Sequence, residues 1–145
     1  MRSGLASRPG DSPRSGPRSG NPPRVLVVDD HEAFRDLICH LLRSAGYEVA
    51  AAATRSEALT LAAPGEQLDL VLMDVRLREE SGIRAAREIQ MSRPGLPVVY
   101  MSGHPRHVAM VAADDPFLEK PFSPDELLAL VATGLELRPG NRSER

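Results

Sequence analysis

The sequence is poor in aromatic residues and almost free of cysteine. Tryptophan is absent, aromatic side chains make up 3% of the chain, and Cys39 is the single cysteine among 145 residues. One cysteine excludes an intramolecular disulfide and a multi-cysteine metal cluster, and so few aromatic rings disfavour a protein that stacks single-stranded bases. The sequence also lacks the roughly 18 consecutive apolar residues of a membrane-spanning helix and the apolar segment of a secretory signal. We therefore expect a cytoplasmic protein, without membrane insertion, whose core is built from aliphatic side chains.

The two ends of the chain differ in composition from its middle. Residues 1–24 hold five Ser, five Pro and four Gly, which predicts a disordered arm, and residues 138–145 predict a flexible tail. The remaining residues, 25–137, carry 10 basic and 18 acidic side chains, a net charge of −8. Because DNA phosphates repel such a domain, we expect no direct nucleic-acid binding. Too little sequence follows Leu137 for an output domain, so a stand-alone domain is expected.

Apolar runs of strand length alternate with stretches of helical spacing in the middle region. Most runs are too apolar for a sheet with one wet face, so both faces must be covered by helices. The pattern predicts an α/β fold of the flavodoxin-like type, a doubly wound five-stranded parallel sheet of order 2-1-3-4-5 with five helices, of which the fourth is short. The strands are predicted at Val25–Val28, Val49–Ala53, Leu70–Met73, Val98–Met101 and Phe117–Leu118, and the helices at about His31–Ala45, Arg55–Ala63, Ser81–Met91, Arg106–Ala113 and Pro124–Leu137.

Polar residues follow four of the predicted strands. Asp29 and Asp30 come after the first strand, Asp74 after the third, Ser102 after the fourth and Lys120 after the fifth. The carboxyl ends of parallel strands meet at one edge of the sheet, where ligands bind. Three carboxylates brought together repel one another unless a cation neutralises them, and ligands that are all oxygen favour Mg²⁺ or Mn²⁺.

Lys120 is the single lysine among 18 basic residues. A compact ammonium group beside the carboxylates suits a phosphoryl oxygen or an ionised Asp74, and Ser102 adds a hydroxyl donor. With the metal and Lys120 drawing charge from a phosphoryl group, Asp74 can act as a nucleophile and form an acyl phosphate. The strand ends therefore predict self-phosphorylation on an aspartate.

Four motifs follow one another along residues 24–137: VLVVDD (25–30), LVLMD (70–74) followed eight residues later by Gly82, YMSG (100–103) and FLEKPF (117–122). In this order they resemble the receiver domains of response regulators in two-component signalling. The resemblance implies that Asp74 accepts a phosphoryl group from a histidine kinase or a phosphotransfer protein. It also implies that the domain catalyses only its own phosphorylation and dephosphorylation, and that it signals through an unknown downstream protein.

The resemblance implies a role for each of the charged site residues. Asp30, Asp74 and the backbone carbonyl of Arg76 would ligate Mg²⁺, and Asp29 would hold a metal-bound water. Lys120 would bind a phosphoryl oxygen.

The resemblance also implies a pair of switch residues. Ser102 would move onto the phosphoryl group, and the ring of Phe117 would turn into the vacated space, so that phosphorylation biases an equilibrium between two states. The peptide bond before Pro121 is expected to be cis. Arg76 and His104 flank the phosphoryl position and are candidates for tuning its hydrolysis.

The chain departs from the family pattern in two places. Arg78 stands where the family often has proline, and the segment between Ser102 and Lys120 is shorter than usual by roughly one helical turn, or about four residues. Family members commonly use this region as a partner or dimer face. The resemblance therefore allows a phosphorylation-dependent homodimer. The shorter segment does not predict whether this chain keeps the partner or dimer face.

Three alternatives remain beside the phosphoacceptor switch. The first is a receiver-like interaction module that does not depend on phosphorylation, although no acid of the motif is lost. The second is an aspartate-nucleophile phosphatase or phosphotransferase, which needs a second acid two residues after Asp74, where Arg76 stands. The third is a flavin carrier, which the acidic segment after the first strand disfavours.

Asp29 and Asp30 could also serve only to cap the first helix. For His31, His40 and His107 the sequence indicates no partner.

Overall fold

The computed structural model describes residues 21–111 and 115–138. Most of the predicted arm and tail lies outside these ranges, as do residues 112–114 at the end of the predicted fourth helix. Arg24 begins the first strand, and Arg138 is 8% exposed. The folded region therefore includes one residue that the sequence assigned to each tail.

Strands and helices alternate along the described residues. The elements are β1 (Arg24–Val28), α1 (Glu32–Ser44), β2 (Glu48–Ala52), α2 (Arg55–Leu61), β3 (Leu70–Asp74), β4 (Arg76–Leu77), β5 (Glu80–Ser81), α3 (Gly82–Ser92), β6 (Val98–Ser102), a 3₁₀ helix (Pro105–Met110), β7 (Phe117–Glu119) and α4 (Pro124–Leu135).

Two features differ from the sequence prediction. Between β6 and β7, the described residues form a 3₁₀ helix where a short α-helix was predicted at Arg106–Ala113. The strands β4 and β5 form a small antiparallel hairpin that the sequence did not predict, because two-residue strands carry no readable hydrophobic alternation.

The five long strands form one parallel sheet of order β2-β1-β3-β6-β7. This order confirms the predicted flavodoxin-like fold. Helices α1 and α4 pack against one face of the sheet, and α2 and α3 pack against the other. Since both faces are covered, β3 and β6 are buried along their whole length, which explains their nearly uniform apolar sequence. Among the described residues, no helix is long and apolar enough to cross a membrane.

Each α-helix begins at a polar side chain that accepts a hydrogen bond from the first turn. The N-cap residues are His31, Thr54, Ser81 and Ser123. The last of them forms the predicted capping box, in which Ser123 and Glu126 each accept the backbone N–H of the other residue. Such caps fix where each helix starts, and thereby the direction in which it leaves the preceding strand end.

Candidate functional site

The site lies where the chain changes direction across the sheet. After β1 the chain runs through α1 to β2 at one edge, and after β3 it runs through α3 to β6 on the other side. The connections therefore diverge above the carboxyl ends of the adjacent strands β1 and β3, which leaves a crevice there. Asp29 follows β1 and Asp74 ends β3, so both carboxylates enter this crevice.

Three carboxylates converge in the crevice. Asp29, Asp30 and Asp74 each offer an oxygen atom, and these three atoms lie within 4.8 Å of one another. Asp29 is fully buried, Asp74 is 8% exposed and Asp30 is half-buried. A cluster of oxygen ligands with one partly open side suits Mg²⁺ or Mn²⁺, which use a few carboxylates and keep water in the other positions. The structure thus brings together the side chains of the predicted metal ligands, and the donor set fits such an ion.

Lys120 reaches this cluster from the far edge of the sheet. Its Nζ donates to Asp29 Oδ2 at 3.0 Å and to Asp74 Oδ2 at 3.3 Å. The ammonium group also lies 4.6 Å from the centroid of the Phe34 ring on α1, and that ring meets Phe122 edge to face at 5.5 Å between centroids. An aromatic face attracts a cation, so Phe34 helps to hold Lys120 over the carboxylates. The sequence reasoning missed this ring, which reads as an ordinary core position.

The charge of the cluster is only partly compensated. Burial raises the pKa of Asp74 to about 6; Lys120 acts in the opposite direction, the Asp29 carboxylate raises the pKa further, and the hydrogen bond from the Arg76 N–H lowers it. One ammonium group faces three carboxylates, so desolvation and mutual repulsion outweigh its attraction. The crevice is consequently an electrostatic environment that favours a further cation.

The loop after Asp74 is tied to the site by backbone contacts. The N–H of Arg76 donates to Asp74 Oδ1 at 3.3 Å, and the N–H of Gly82 donates to the Val75 carbonyl at 2.7 Å. A Cβ atom at Gly82 would lie 1.7 Å from the backbone oxygen of Asp74, so only glycine allows α3 to start this close to β3. This close approach is the physical reason for the glycine eight residues after Asp74.

Arg78 stands in this loop at the place where the sequence resemblance favours proline. Its φ of 58° lies in the left-handed region, and its Nε is 3.7 Å from Asp30 Oδ2. The Arg78 side chain is 75% exposed, so this ion pair is a weak contact at the rim of the site. The carbonyl of Arg78 also accepts a hydrogen bond from Arg76 Nε at 3.3 Å.

Asp29 is held by the start of α1. The N–H of His31 donates to Asp29 Oδ1 at 2.9 Å, and the Arg35 guanidinium donates to the Asp29 carbonyl at 2.8 Å. The cap of α1 is His31, whose Nδ1 accepts the Phe34 N–H at 3.2 Å. The alternative that Asp29 and Asp30 serve only as a helix cap is therefore wrong.

Ser102 lies on the side of the crevice opposite Asp29 and Asp30. Its Oγ accepts the backbone N–H of His104 at 3.0 Å and lies 2.5 Å from His107 Nδ1. The sequence indicated no partner for His107, because its contact with Ser102 depends on the turn after β6. Ser102 borders a pocket of about 510 Å³, whose other lining residues are Asp74, Arg76, Gly103, His104 and His107. The two candidates for tuning hydrolysis, Arg76 and His104, therefore border the same pocket as Asp74.

Phe117 lies apart from this pocket. Its half-buried ring packs against the core that contains Tyr100, its parallel-strand neighbour, and it borders a separate groove with Lys120 between β7 and α4. Ser102 and Lys120 are linked directly, because the Lys120 N–H donates to the Ser102 carbonyl at 2.9 Å. The Lys120–Pro121 peptide bond is cis.

Comparisons with known proteins agree with this geometry. The sequence pattern of the response regulator receiver domain matches residues 25–132. The chain is 32% identical over 113 residues to the probable transcriptional regulatory protein TcrX of Mycobacterium tuberculosis, covering 75% of this chain and 48% of TcrX. It therefore spans about half the length of that relative.

Two solved structures share the fold. A CheY-like response regulator receiver domain protein from Methanospirillum hungatei superimposes with a TM-score of 0.72 at 27% identity, over 86% of this chain and 100% of that one. The response regulator TrrA from Thermotoga maritima, solved in complex with Mg(2+)-BeF, gives a TM-score of 0.68 at 28% identity, over 77% of this chain and 97% of that one.

Proposed function

The chain belongs to the response regulator receiver domains, and we propose that it is a phosphoaspartate switch in which Asp74 takes a phosphoryl group from a histidine kinase or a phosphotransfer protein. The observation that carries this proposal is the contact of one ammonium group with two buried carboxylates at the open end of the sheet. Lys120 pairs with both Asp29 and Asp74, and Asp30 completes the acidic cluster. An acid so placed can act as a nucleophile while its neighbours hold the charges around it.

The proposed reaction is an in-line transfer between two residues. An oxygen of the Asp74 carboxylate forms a bond to phosphorus, the bond between phosphorus and the donor's imidazole nitrogen breaks, and the released imidazole takes up a proton from solvent. Lys120 balances negative charge on the phosphoryl oxygens, and Ser102 offers a hydroxyl donor from the opposite wall. The domain then acts on itself rather than turning over a separate substrate.

Asp30, Asp74 and the Arg76 carbonyl would hold Mg²⁺, with Mn²⁺ as a chemical equivalent, and Asp29 would hold a metal-bound water. The ion would supply positive charge that offsets the charge of the phosphoryl oxygens and of the three carboxylates. The raised pKa of Asp74 supports this assignment, because burial and the Asp29 carboxylate together raise it more than Lys120 lowers it.

The output is proposed to pass through protein contacts. Ser102 and Phe117 would form the switch pair that transmits the state of Asp74, and Arg76 and His104 would tune the lifetime of the phosphoryl group. TcrX is described as a probable transcriptional regulatory protein, which favours a downstream partner that acts in transcription. A phosphorylation-dependent homodimer is a second route for the same output.

Intact-mass measurement tests the proposal directly. The protein is incubated with a small-molecule phosphodonor, with and without Mg²⁺, beside Asp74→Asn and a matched control, Asp36→Asn, which removes an exposed acid on α1. We expect a gain of one phosphoryl group that needs Mg²⁺, is kept in Asp36→Asn and is lost in Asp74→Asn. If the folded, Mg²⁺-bound protein takes no phosphoryl group from either this donor or a phosphorylated phosphotransfer protein, the phosphorylation-independent interaction module becomes the better account.

A further inference from the structure

The hydroxyl group of Ser102 is held by the segment that follows it. The chain turns sharply after β6, where the N–H of His107 donates to the His104 carbonyl at 2.9 Å in the first turn of the 3₁₀ helix. This turn brings the His107 ring back over the strand end, and its Nδ1 lies 2.5 Å from Ser102 Oγ. The same oxygen accepts the His104 N–H at 3.0 Å. Ser102 therefore has two partners from the segment that carries the 3₁₀ helix.

The direction of the contact between Ser102 and His107 depends on the tautomer of the His107 ring. A serine hydroxyl has one hydrogen to donate, and its oxygen can accept from other groups. The backbone N–H of His104 can only donate, so the contact with His107 is the one that can use the hydroxyl hydrogen. Burial lowers the pKa of His107, with His104, Arg76 and Arg106 acting in the same direction, which favours the neutral ring. In the neutral tautomer that carries its hydrogen on Nε2, Ser102 is the donor and His107 Nδ1 is the acceptor.

Ser102, His107 and Asp74 border the same pocket. A single hydroxyl hydrogen cannot point to Nδ1 of His107 and to a phosphoryl oxygen at the same time. An oxygen on Asp74 that is to receive this hydrogen must therefore take it from His107.

We propose that His107 is a positioning residue that holds the Ser102 hydroxyl in the unphosphorylated protein, and that a phosphoryl group on Asp74 breaks this hydrogen bond. The inference rests on the proposed function of Asp74 and adds a regulating contact to it. It gives the 3₁₀ helix Pro105–Met110 a direct connection to the phosphorylation state, because the His107 ring loses its partner when Ser102 turns away. The contact also opposes the active state, since it must be given up before Ser102 binds the phosphoryl group.

Beryllofluoride with Mg²⁺ is the probe for this competition, because it mimics a phosphoryl group on a carboxylate without being hydrolysed. Binding is measured by ¹⁹F NMR titration. We expect His107→Ala to bind beryllofluoride about two- to tenfold more tightly than the wild type, which is the net contribution of one hydrogen bond. His107→Asn places a polar atom near the position of Nδ1 and is expected to restore the wild-type affinity. Met110→Ala, an exposed change in the same 3₁₀ helix, is the matched control and should bind like the wild type.

Two further readings separate the hydrogen bond from a general effect on structure. In a Ser102→Ala background, His107→Ala should no longer change the affinity, because the coupling between the two side chains is already lost. The ring ¹⁵N shifts of His107 should show Nδ1 as an unprotonated acceptor in the free protein and should change when beryllofluoride binds.

The outcomes distinguish this inference from the proposed function. The inference alone is overturned if the wild type binds beryllofluoride and His107→Ala binds it no more tightly. It is also overturned alone if His107→Ala raises the affinity equally in the Ser102→Ala background. Unchanged His107 ring signals on binding lead to the same conclusion. If the wild type neither binds beryllofluoride nor takes a phosphoryl group, the proposed function fails and the inference fails with it.

Discussion

The two ends of the parallel sheet both bury a carboxylate, but they balance its charge in different ways. At the amino ends of the strands, Asp69 accepts the Arg24 N–H at 2.8 Å and pairs with the Arg138 guanidinium at 3.2 Å. At the carboxyl ends, the ammonium group of Lys120 contacts Asp29 and Asp74 while Asp30 stands beside them. The amino end therefore pairs a buried acid with a buried base, whereas the carboxyl end leaves an excess of negative charge among the described side chains.

The difference separates a contact that supports the fold from one that prepares chemistry. The side chains of Asp69 and Arg138 are 7% and 10% exposed, and their ion pair ties the segment after α4 to the start of β3. Removing Asp69 takes this partner away from the buried Arg138 guanidinium. At the other end, burial and then the neighbouring Asp29 carboxylate raise the pKa of Asp74. Desolvation and repulsion of these carboxylates lower the stability of the free protein and favour the binding of a cation.

The largest effect is expected at the amino end. Asp69→Ala removes the partner of the Arg138 guanidinium and of the Arg24 N–H, and it should lower the free energy of unfolding by about 3–5 kcal/mol. Chemical denaturation measures the loss. Glu48→Ala is the control, because it breaks the half-exposed Arg24–Glu48 pair at 3.9 Å and should cost less than about 1 kcal/mol. Equal losses in the two variants would contradict the distinction between the buried and the exposed pair.

An opposite effect is expected at the carboxyl end. The pKa of Asp74 in the folded protein, about 6, is above the 3.8 of a free carboxyl group, so the folded state binds the proton more tightly than the unfolded state. The free energy of unfolding should therefore fall as the pH rises from about 4 to about 6 and stay lower above that window. Asp74→Asn removes this penalty and should stabilise the metal-free protein by about 3 kcal/mol near neutral pH, and not at about pH 4.

Thermal and urea unfolding across this pH range check the second prediction, with Asp36→Asn as a control on an exposed acid. A gain that is the same at both ends of the range would show that the substitution acts through something other than ionisation of Asp74.

The smallest effect is expected from the metal. Mg²⁺ at about ten times its dissociation constant should raise the free energy of unfolding of the wild type by about 1.4 kcal/mol, because it binds the folded carboxylate cluster alone. Asp30→Asn should weaken this response, and Asp69→Asn, at the other end of the sheet, should leave it unchanged. Unfolding measured at constant ionic strength separates binding from screening. A shift of equal size in Asp30→Asn would place the ion elsewhere.

Much of the fold could be predicted from the sequence because the signals are local. The apolar runs of β3 and β6 reflect burial on both faces, and the Ser123–Glu126 capping box marks the start of α4 within four residues. The hairpin β4–β5 and the 3₁₀ helix were not predicted. Two-residue strands and a single short turn are stabilised by their surroundings rather than by a periodic pattern.

The sequence by itself determined which residues end the strands, and hence that Asp29, Asp74, Ser102 and Lys120 share one edge of the sheet. Chain direction and hydrophobic pattern are enough for that, since all parallel strands deliver their carboxyl ends to the same side. Only the tertiary structure decided which side chains meet, such as Lys120 with Phe34, Arg138 with Asp69 and His107 with Ser102. Such contacts depend on the order of the strands and on the path of each loop, and neither leaves a periodic trace in the sequence.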